Sequence, residues 1–471
     1  MLSRRKFVEL SALAGASAFI PKNAFSFSGD FPVVRVPLSK RHFSSPAIEN
    51  AISRVSKGIS NRELAWLFNN CFPNTLDTTV YFEMNGGKPD TYVITGDIDA
   101  MWLRDSSAQV WPYIPFCKQD PKLQLLLKGV INRQMRNIIL DPYANAFYKD
   151  DTKVSEWKAT DITEMKPGIH ERKWEVDSLC YPIRLSHGYW KETGDTSAFD
   201  SEWQHAMELV IQTFRQQQRK NGKGPYSFQR KTSWATDGVP LGGYGYPVKP
   251  DGLICSIFRP SDDATIFPYL IPSNFFAVVS LNQLKEIASV IGNKKLADSA
   301  ASLALEVKNA LAKNAVATFG GKKIYPYEIN GYGSTVLMDD ANVPSLLSLP
   351  YLGAVPKTNI MYQNTRNYIL SLNDPFFFKG TAGEGIGSPH TGLNRIWPIG
   401  ITMRALTSTS DAEIKHCLSM LQKSNAGTGF MHESFNKDNA NDFTRKWFAW
   451  ANTLFGELVW ETFLRKKELL Q

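Results

Sequence analysis

The chain has 471 residues, of which 43% are hydrophobic and 12% aromatic, and this composition is sufficient for one large core. The formal net charge of +8 is dispersed and contains no basic run of the kind that binds nucleic acid, so nucleic-acid binding is not expected. The five cysteines are widely spaced without a CxxC pair, which argues against a zinc knuckle or redox motif and favours buried free thiols, although one disulfide stays open.

The first 26 residues have the pattern of an export signal. They read "MLSRRKFVELSALAGASAFIPKNAFS", a positive segment followed by a modest apolar stretch rich in Ala and Ser. The "SRRKF" core resembles a twin-arginine signal, and an ordinary signal with paired arginines is the alternative. The segment is too short to anchor the mature protein in a membrane, and no later stretch has the ~18 uninterrupted apolar residues of a membrane helix. We therefore expect residues 27–471 to be exported, with the periplasm as the expected compartment.

Helical periodicity dominates the rest of the chain. The segments with this pattern are 45–59, 120–140, 200–220, 272–292, 294–315, 365–372, 410–425 and 442–470, and a further helix is expected to begin near Ser106. Long segments rich in Gly, Pro and aromatic residues separate them, at 222–262, 318–360 and 374–400. Loops of this length tend to be functional. The pattern predicts one all-α domain over residues 27–471, with helical hairpins around an axis and loops that form a pocket at one end. An irregular bundle of two α domains is the alternative.

Several common catalytic motifs are absent from the sequence. It contains no HExxH, no HxH, no GxxxxGK[ST] and no GxSxG, and its seven histidines are scattered. "GGYGYP" at 242–247 lacks the strand and helix of a dinucleotide site. Metal, nucleotide and serine-hydrolase chemistry are therefore disfavoured. Carboxylates in loops, together with Arg, Trp and His, suit glycoside hydrolysis, which requires two carboxyl groups with different protonation states.

The segment "TGDIDAMWLRDSSAQVWPY", residues 95–113, places several functional groups in one short loop. Arg104 and Asp105 are candidates to bind sugar hydroxyls, and Trp102 could form an apolar wall of the pocket. The alternative is that Arg104 and Asp105 form an ion pair that caps the following helix. Local composition favours neither interpretation.

The sequence resembles glycoside hydrolase family 125. The resemblance rests on the segment 95–113 and on "FRPSDDA", "IPSNFFA", "VLMDDANVPSLLSLPY", "GIGSPHTGLNRIWPIGI", "GFMHESF" and "FAWANTLFGEL". It covers the chain from about residue 50 to the C-terminus. It implies an (α/α)6 toroid and an exo-α-mannosidase that acts chiefly on α-1,6-linked mannose, with inversion and without metal or other cofactor. It also implies a general acid in "RPSDDA" and Glu433 as the general base. Glu457 in "LFGEL" is the competing base.

The choice of acid lies between Asp262 and Asp263. Ser261 is expected to cap a following helix, which would place both aspartates near a helix N-terminus, where the charged form of a carboxylate is favoured. A general acid must instead be kept protonated by apolar surroundings or by a nearby negative charge. Related helical-toroid glycosidases carry their acid in a similar turn, and this resemblance favours Asp262. Asp263 is the alternative acid and would otherwise serve substrate binding or structure.

The terminal-sugar pocket is expected to include residues from other loops of the same resemblance. These are Arg259, Asp340, Asn342 and His390, and Glu384 is a weaker candidate. Glu175 and Asp177 in "HERKWEVDSLCYP" are expected to serve a helix terminus rather than the substrate. Two further functions remain open: a helical-toroid glycosidase for glucose or another hexose, and a non-catalytic glycan-binding protein. The expected partner is in every case a glycan.

Overall fold

The computed structural model describes residues 31–471, and the predicted export signal lies outside these residues. The helices are α1 Pro46–Gly58, α2 Arg62–Cys71, α3 Asn74–Thr78, α4 Leu103–Val110, α5 Pro121–Leu140, α6 Val176–Thr193, α7 Ser201–Gln217, α8 Pro240–Gly243, α9 Ile271–Val290, α10 Lys294–Asn314, α11 Ile360–Ile369, α12 Pro398–Leu406, α13 Asp411–Lys423 and α14 Ala449–Arg465. Short 3₁₀ helices span Leu38–Lys40, Trp111–Gln119, Glu156–Ala159, Ala235–Asp237, Pro389–Thr391 and Lys467–Leu470.

The strands are short and lie in the segments that connect the helices. They are β1 Val80–Asn85, β2 Lys88–Val93, β3 Met101–Trp102, β4 Ala146–Phe147, β5 Asp161–Ile162, β6 Ile169–Glu171, β7 Gln229–Arg230, β8 Tyr269–Leu270, β9 Ala317–Phe319, β10 Lys322–Ile324, β11 Glu328–Ile329, β12 Thr335–Val336, β13 Phe377–Lys379, β14 Glu384–Ile386, β15 Arg395–Ile396, β16 Ser434–Asn436 and β17 Asn439–Thr444. They pair in antiparallel fashion in small sheets such as β3-β4-β6 and β15-β16-β17.

The helices form two concentric layers. In the inner layer α14 packs on α4, α4 on α6, α6 on α9, and α12 on α14. The mostly buried segment 339–352 packs against this layer, since the Tyr181 hydroxyl of α6 donates to the Val343 carbonyl at 2.9 Å and Ala341 lies beside Gly400 of α12. In the outer layer α5 packs on α7, and α7 on α10. The predicted (α/α)6 toroid is therefore confirmed. Among residues 31–471, no helix is both long enough and apolar enough to cross a membrane.

Sequence signals at the helix termini account for where many of these helices begin. Ser45 accepts a hydrogen bond from the Ile48 amide and Pro46 follows it, an arrangement that begins α1. Inner helices such as α14 are apolar around most of their circumference because they are covered on both sides. Some boundaries differ from expectation: α4 begins at Leu103 rather than near Ser106, α11 spans Ile360–Ile369 rather than 365–372, and residues 442–444 of the last predicted helical segment are strand. Helices α2, α6 and α12 lie outside the predicted helical segments.

The side chain of Asp120 joins the starts of two helices, and its loss should destabilise the fold. It accepts hydrogen bonds from the Lys122 and Leu123 amides at 3.1 and 3.2 Å and from the Ser45 hydroxyl at 2.5 Å. We expect Asp120→Ala to lower the free energy of unfolding by about 1–2 kcal/mol, since an N-cap is lost. Urea unfolding measures this change. Asp298→Ala, which removes only an exposed ion pair on α10, should cost less than about 0.5 kcal/mol. Equal losses in the two variants would contradict the capping role.

Candidate active site

Asp262 lies at the end of a tight hairpin loop. The Arg259 amide donates to the Asp263 carbonyl at 2.7 Å, and the Asp262 amide donates to the Arg259 carbonyl at 2.9 Å. These bonds define a three-residue loop, in which the last residue adopts the left-handed conformation. Asp262 has a φ of 65°, and Pro260 supplies the fixed φ that the first loop position favours.

The expected helix start at Ser261 is wrong. The next helix, α9, begins at Ile271, and residues 261–268 contain only turns and an isolated bridge. Proline and serine occur both in tight turns and at helix starts, so the local sequence could not separate the two structures. The two aspartates therefore do not lie in the first turn of this helix. Their surroundings are set by contacts with distant parts of the chain.

The Asp262 carboxylate is bound from one side by buried groups. Its Oδ1 accepts hydrogen bonds from Arg104 Nη2 at 3.0 Å and Asn145 Nδ2 at 3.2 Å. Lys173 Nζ donates to the Asp262 main-chain carbonyl at 2.8 Å and so supports the left-handed backbone. The side chain keeps 16% of its surface accessible to solvent. Burial alone would raise its pKa, but the Arg104 guanidinium and a hydrogen bond with Glu175 hold the pKa of Asp262 well below its usual range.

Asp263 has different surroundings. Its side chain is completely buried, and its Oδ1 is hydrogen-bonded to Nδ1 of His390 at 3.1 Å. His390 itself keeps 19% of its side chain accessible. The backbone therefore directs the two adjacent carboxyl groups to different environments. Asp262 lies at a solvent-accessible face, and Asp263 lies beneath His390.

Arg104 is surrounded by carboxyl groups from three parts of the chain. Its Nη1 lies 2.5 Å from Glu175 Oε2 and 3.4 Å from Asp177 Oδ2, and its Nε lies 3.5 Å from Asp105 Oδ2. Burial raises the pKa of Glu175 well above its usual value, and Arg104 only partly opposes this. Burial likewise raises the pKa values of Asp177 and Asp105 to about 6, again against Arg104. Arg104 and Asp105 form an ion pair in the first turn of α4, and Arg104 also contacts Asp262.

Glu433 lies on a second set of loops. Its Oε1 is 3.5 Å from Arg445 Nη1, and its side chain is 7% accessible. Arg445 also donates to Asp97 Oδ1 from Nε at 2.9 Å and to Thr95 Oγ1 from Nη2 at 3.3 Å. Because Arg445 and Asp105 also interact electrostatically, a chain of charges joins Glu433 to the Arg104 cluster.

The loop that bears Asp97 is attached to the segment that bears Arg445. Gly96 pairs with Phe448, and the Ala449 amide donates to the Thr95 carbonyl at 3.0 Å. Gly96 has a φ of +128°, and a Cβ there would meet the Trp447 carbonyl oxygen at 2.3 Å. Glycine is therefore required at this close approach of two backbones.

Four other predicted pocket residues are held mainly by neighbouring loops. Arg259 Nε donates to Glu328 Oε1 at 2.6 Å. Asp340 accepts from the amide and side chain of Asn342, both at 3.0 Å, and from the Ser388 hydroxyl at 2.8 Å, so it binds the loop that carries His390. Trp102 is 6% exposed and packs edge-on against a histidine at 5.2 Å.

The competing and weaker candidates have other contacts. Glu457 lies within α14 and accepts a hydrogen bond from the Tyr351 hydroxyl at 2.9 Å, and burial raises its pKa to about 7. Glu384 binds Arg404 Nη1 at 3.0 Å and Lys379 Nζ at 2.9 Å. Among the described residues 31–471, no group of three or more His, Cys, Asp or Glu side chains is arranged to hold a metal ion.

Three residues outside the predicted set contact the two candidate catalytic residues. Asn145 and Lys173 contact Asp262, and Arg445 contacts Glu433. Glu175, which was expected to serve a helix terminus, does precede α6 but also lies against the Arg104 and Asp262 pair. For Asn145 the sequence contains a usable signal, because a polar residue among apolar neighbours, as in "YANAFY", indicates a buried polar side chain.

Carboxyl groups on loops of a helical toroid define this protein as an (α/α)6 glycosidase. Residues 61–460 match the family model described as metal-independent alpha-mannosidase (GH125). The chain therefore belongs to glycoside hydrolase family 125, and the resemblance found in the sequence is confirmed. It is a glycoside hydrolase of the α-mannosidase class.

Three known proteins are informative relatives. The meiotically up-regulated gene 157 protein of Schizosaccharomyces pombe is 41% identical over 462 residues, which cover 93% of this chain and 90% of that protein. A Streptococcus pneumoniae structure, described as a metal-independent alpha-mannosidase in a non-productive complex with alpha-1,6-mannobiose, is 39% identical with a TM-score of 0.86. It covers 90% of this chain and 100% of its own. A bacterial glucoamylase with acarbose is 13% identical with a TM-score of 0.51, over 79% of this chain and 50% of its own, and supports the fold alone.

The raised pKa of Asp105 predicts a pH-dependent difference between the wild type and Asp105→Asn. Asp105 binds its proton more tightly in the folded state, where its pKa is about 6, than in the unfolded state, where its pKa is near the ordinary value of 3.8. Its contribution to stability is therefore fully present below about pH 4 and is lost as the pH rises through 6. Asp105→Asn cannot ionise and does not show this loss. Relative to the wild type, its free energy of unfolding should rise by up to about 3 kcal/mol between pH 4 and pH 7, as measured by urea unfolding. A difference that does not change with pH would disprove the raised pKa.

Proposed function

We propose that the protein is an exo-acting α-mannosidase that hydrolyses terminal α-1,6-linked mannose with inversion. The observation that carries this proposal is the arrangement of Asp262 and Glu433, a partly accessible and a nearly buried carboxyl group on separate loops that are linked electrostatically through Arg104 and Arg445. The relative from Streptococcus pneumoniae, which is bound to alpha-1,6-mannobiose, supports the linkage. Mannose-containing glycans are the proposed substrates.

Asp262 is the proposed general acid and Glu433 the proposed general base. Asp262 would give a proton to the glycosidic oxygen while Glu433 takes one from a water on the opposite face of the sugar. An inverting mechanism requires about 6.5–9.5 Å between the two carboxyl groups, so that water fits beside the sugar. The accessible side chain of Asp262 and the buried one of Asp263 support the choice of Asp262.

The remaining residues of the proposed site would bind and orient the terminal sugar. His390 has a partly accessible polar side chain close to Asp262, and Asp105 is a buried side chain between Arg104 and Arg445. Asp340 and Asn342 would act through the loop that they hold, because both are buried. Arg259 and Trp102 would form the deeper wall.

Export is a further part of the proposal. The pattern of residues 1–26 supports removal of a signal, so that the single domain 27–471 acts outside the cytoplasm, in the periplasm. Mannan or N-glycan fragments would meet the enzyme there.

Substitution of the two carboxylates tests the proposed roles. Asp262→Asn and Glu433→Gln should each lower kcat on α-1,6-mannobiose by about 10²–10⁴-fold, because each removes one proton transfer. Both should remain folded, as circular dichroism and melting temperature would show. Asp263→Asn should raise KM or lower stability more than it lowers kcat, since its carboxyl group contacts His390 and is buried.

Proton NMR of the first sugar released by the wild type tests the stereochemistry. An inverting enzyme releases β-mannose first from an α-linked substrate, and mutarotation follows later. Initial release of α-mannose would contradict inversion, and unchanged turnover in either Asp262→Asn or Glu433→Gln would contradict the assignment of that residue.

A further inference from the structure

Glu175 is a fully buried carboxyl group that shares both of its nitrogen donors with Asp262. Arg104 Nη1 lies 2.5 Å from Glu175 Oε2, and Nη2 of the same guanidinium lies 3.0 Å from Asp262 Oδ1. Asn145 Nδ2 lies 3.4 Å from Glu175 Oε1 and 3.2 Å from Asp262 Oδ1. The two carboxyl groups therefore lie on the same guanidinium and the same amide, and the negative charge of Asp262 adds to the effect of burial in raising the pKa of Glu175.

The balance of charge around Arg104 indicates that some of its carboxyl partners are protonated. One guanidinium is in contact with the carboxyl groups of Asp105, Glu175, Asp177 and Asp262, of which the first three are buried. Arg445 also acts on Asp105, but it is shared with Asp97 and Glu433, so the two arginines cannot neutralise all of these carboxylates, and a buried charge without a partner is costly. The cluster therefore retains protons at neutral pH.

The other charged groups nearby have their own partners. Lys173 Nζ lies 2.9 Å from Asp237 Oδ1 and 3.3 Å from Glu171 Oε1, and it contacts Asp262 at the main-chain carbonyl and acts on its carboxylate electrostatically. Glu171 reaches Asn145 Nδ2 at 3.3 Å and is paired with Arg230 at 3.0 Å. His390 acts on Asp262 electrostatically and is hydrogen-bonded to Asp263. The excess of negative charge therefore lies at the pair of Glu175 and Asp262, of which Asp262 is accessible to solvent.

We propose that Glu175 holds the proton that Asp262 delivers to the glycosidic oxygen, and that Glu175 is thus a positioning residue for the general acid. This inference rests on the proposed function, in which Asp262 is that acid. The Glu175 side chain has no surface accessible to solvent, whereas 16% of the Asp262 side chain is accessible, so a negative charge costs more at Glu175 and the resting proton belongs there. The directions of the two pKa shifts agree, since burial raises the pKa of Glu175 and Arg104 holds the pKa of Asp262 low.

The proposed step conserves protons. The proton moves from Glu175 to Asp262, and the Glu175 anion is then held by Arg104 Nη1, the closer of the two guanidinium contacts. Asp262 gives the proton to the glycosidic oxygen as the bond from that oxygen to the anomeric carbon breaks. Water attacks the same carbon and gives its proton to Glu433. Glu433 then releases this proton to solvent, and the pair takes one up again.

Comparison of two leaving groups tests the inference. Departure of an alcohol from α-1,6-mannobiose needs a proton, whereas departure of fluoride from α-mannosyl fluoride needs little acid assistance. Glu175→Gln should lower kcat/KM on mannobiose by about 10²-fold and on the fluoride by less than about fivefold. For this variant, the alkaline limb of the pH profile of kcat/KM on mannobiose should move to lower pH by about one unit. The reason is that the neighbouring carboxylate, whose negative charge raises the pKa of the acid, is gone. Equal losses on both substrates with an unmoved limb would overturn the inference.

Asp177→Asn is the matched control. Asp177 is equally buried and contacts the same Nη1 of Arg104 at 3.4 Å. If Glu175 merely held Arg104 in place, the two variants would have the same ratio of losses on the two substrates. We expect that ratio to be near one in Asp177→Asn and large in Glu175→Gln. Similar ratios in both variants would overturn the inference.

Two further variants keep the outcomes separable. Asp262→Asn should also lose activity on mannobiose far more than on the fluoride. If it does not, the assignment of the acid in the proposed function fails. If Asp262→Asn shows this selectivity while Glu175→Gln does not, only the inference about Glu175 fails.

Should Glu175→Gln not fold, Glu175→Asp keeps a titratable carboxyl one methylene further away. Its loss should then be smaller but still larger on mannobiose than on the fluoride, and equal losses would again overturn the inference.

Discussion

A buried arginine determines the arrangement of this site. Arg104 lies in the first turn of α4, and its guanidinium binds Glu175 before α6 and Asp262 in the hairpin loop before α9. Three separate parts of the toroid are thereby joined at one cation. Removing one partner of such a buried ion pair leaves unpaired charges and typically costs 3–5 kcal/mol. The fixed fork of the guanidinium also sets the relative positions of the two carboxyl groups, which a flexible lysine could not do.

The same cation explains how similar carboxyl groups differ in proton affinity. Burial raises the pKa of each acid near Arg104, but the arginine opposes this effect unequally. Asp262 remains ionised in the resting protein, whereas Glu175 retains a proton. Groups whose environments separate their pKa values are typical of acid–base sites. On the other side, Arg445 binds Glu433 and Asp97 and extends the electrostatic connection through Asp105. The two halves of the site are therefore coupled by charge.

Much of the fold could be predicted from the sequence because its signals are local. The helical period of apolar residues and the Asp120-Pro121 start predict the bounds of α5 to within one residue. The succession of helical segments predicts a ring of helical hairpins. The residues that surround the acid and base were harder to predict. Asn145 directly precedes β4 and Arg445 directly follows β17, and although the apolar neighbours of Asn145 indicate burial, the local sequence does not indicate that these residues contact Asp262 and Glu433. Such contacts depend on closure of the toroid. Family motifs indicated the loops that contain the candidate catalytic residues but not their supporting partners.

The hairpin loop at Asp262 shows why the local interpretation failed and why its failure matters. A helix start would place Asp262 and Asp263 together in a positive helix dipole, which stabilises the charged form of both. The three-residue loop instead turns Asp263 beneath His390 and leaves Asp262 at the accessible face. The left-handed φ of 65° at Asp262 is unfavourable for a residue with a Cβ, and the main-chain hydrogen bond from Lys173 supports it. The loop therefore gives two adjacent acids separate environments, so that the protonation of Asp262 depends on Arg104 and Glu175 rather than on its neighbour in the chain.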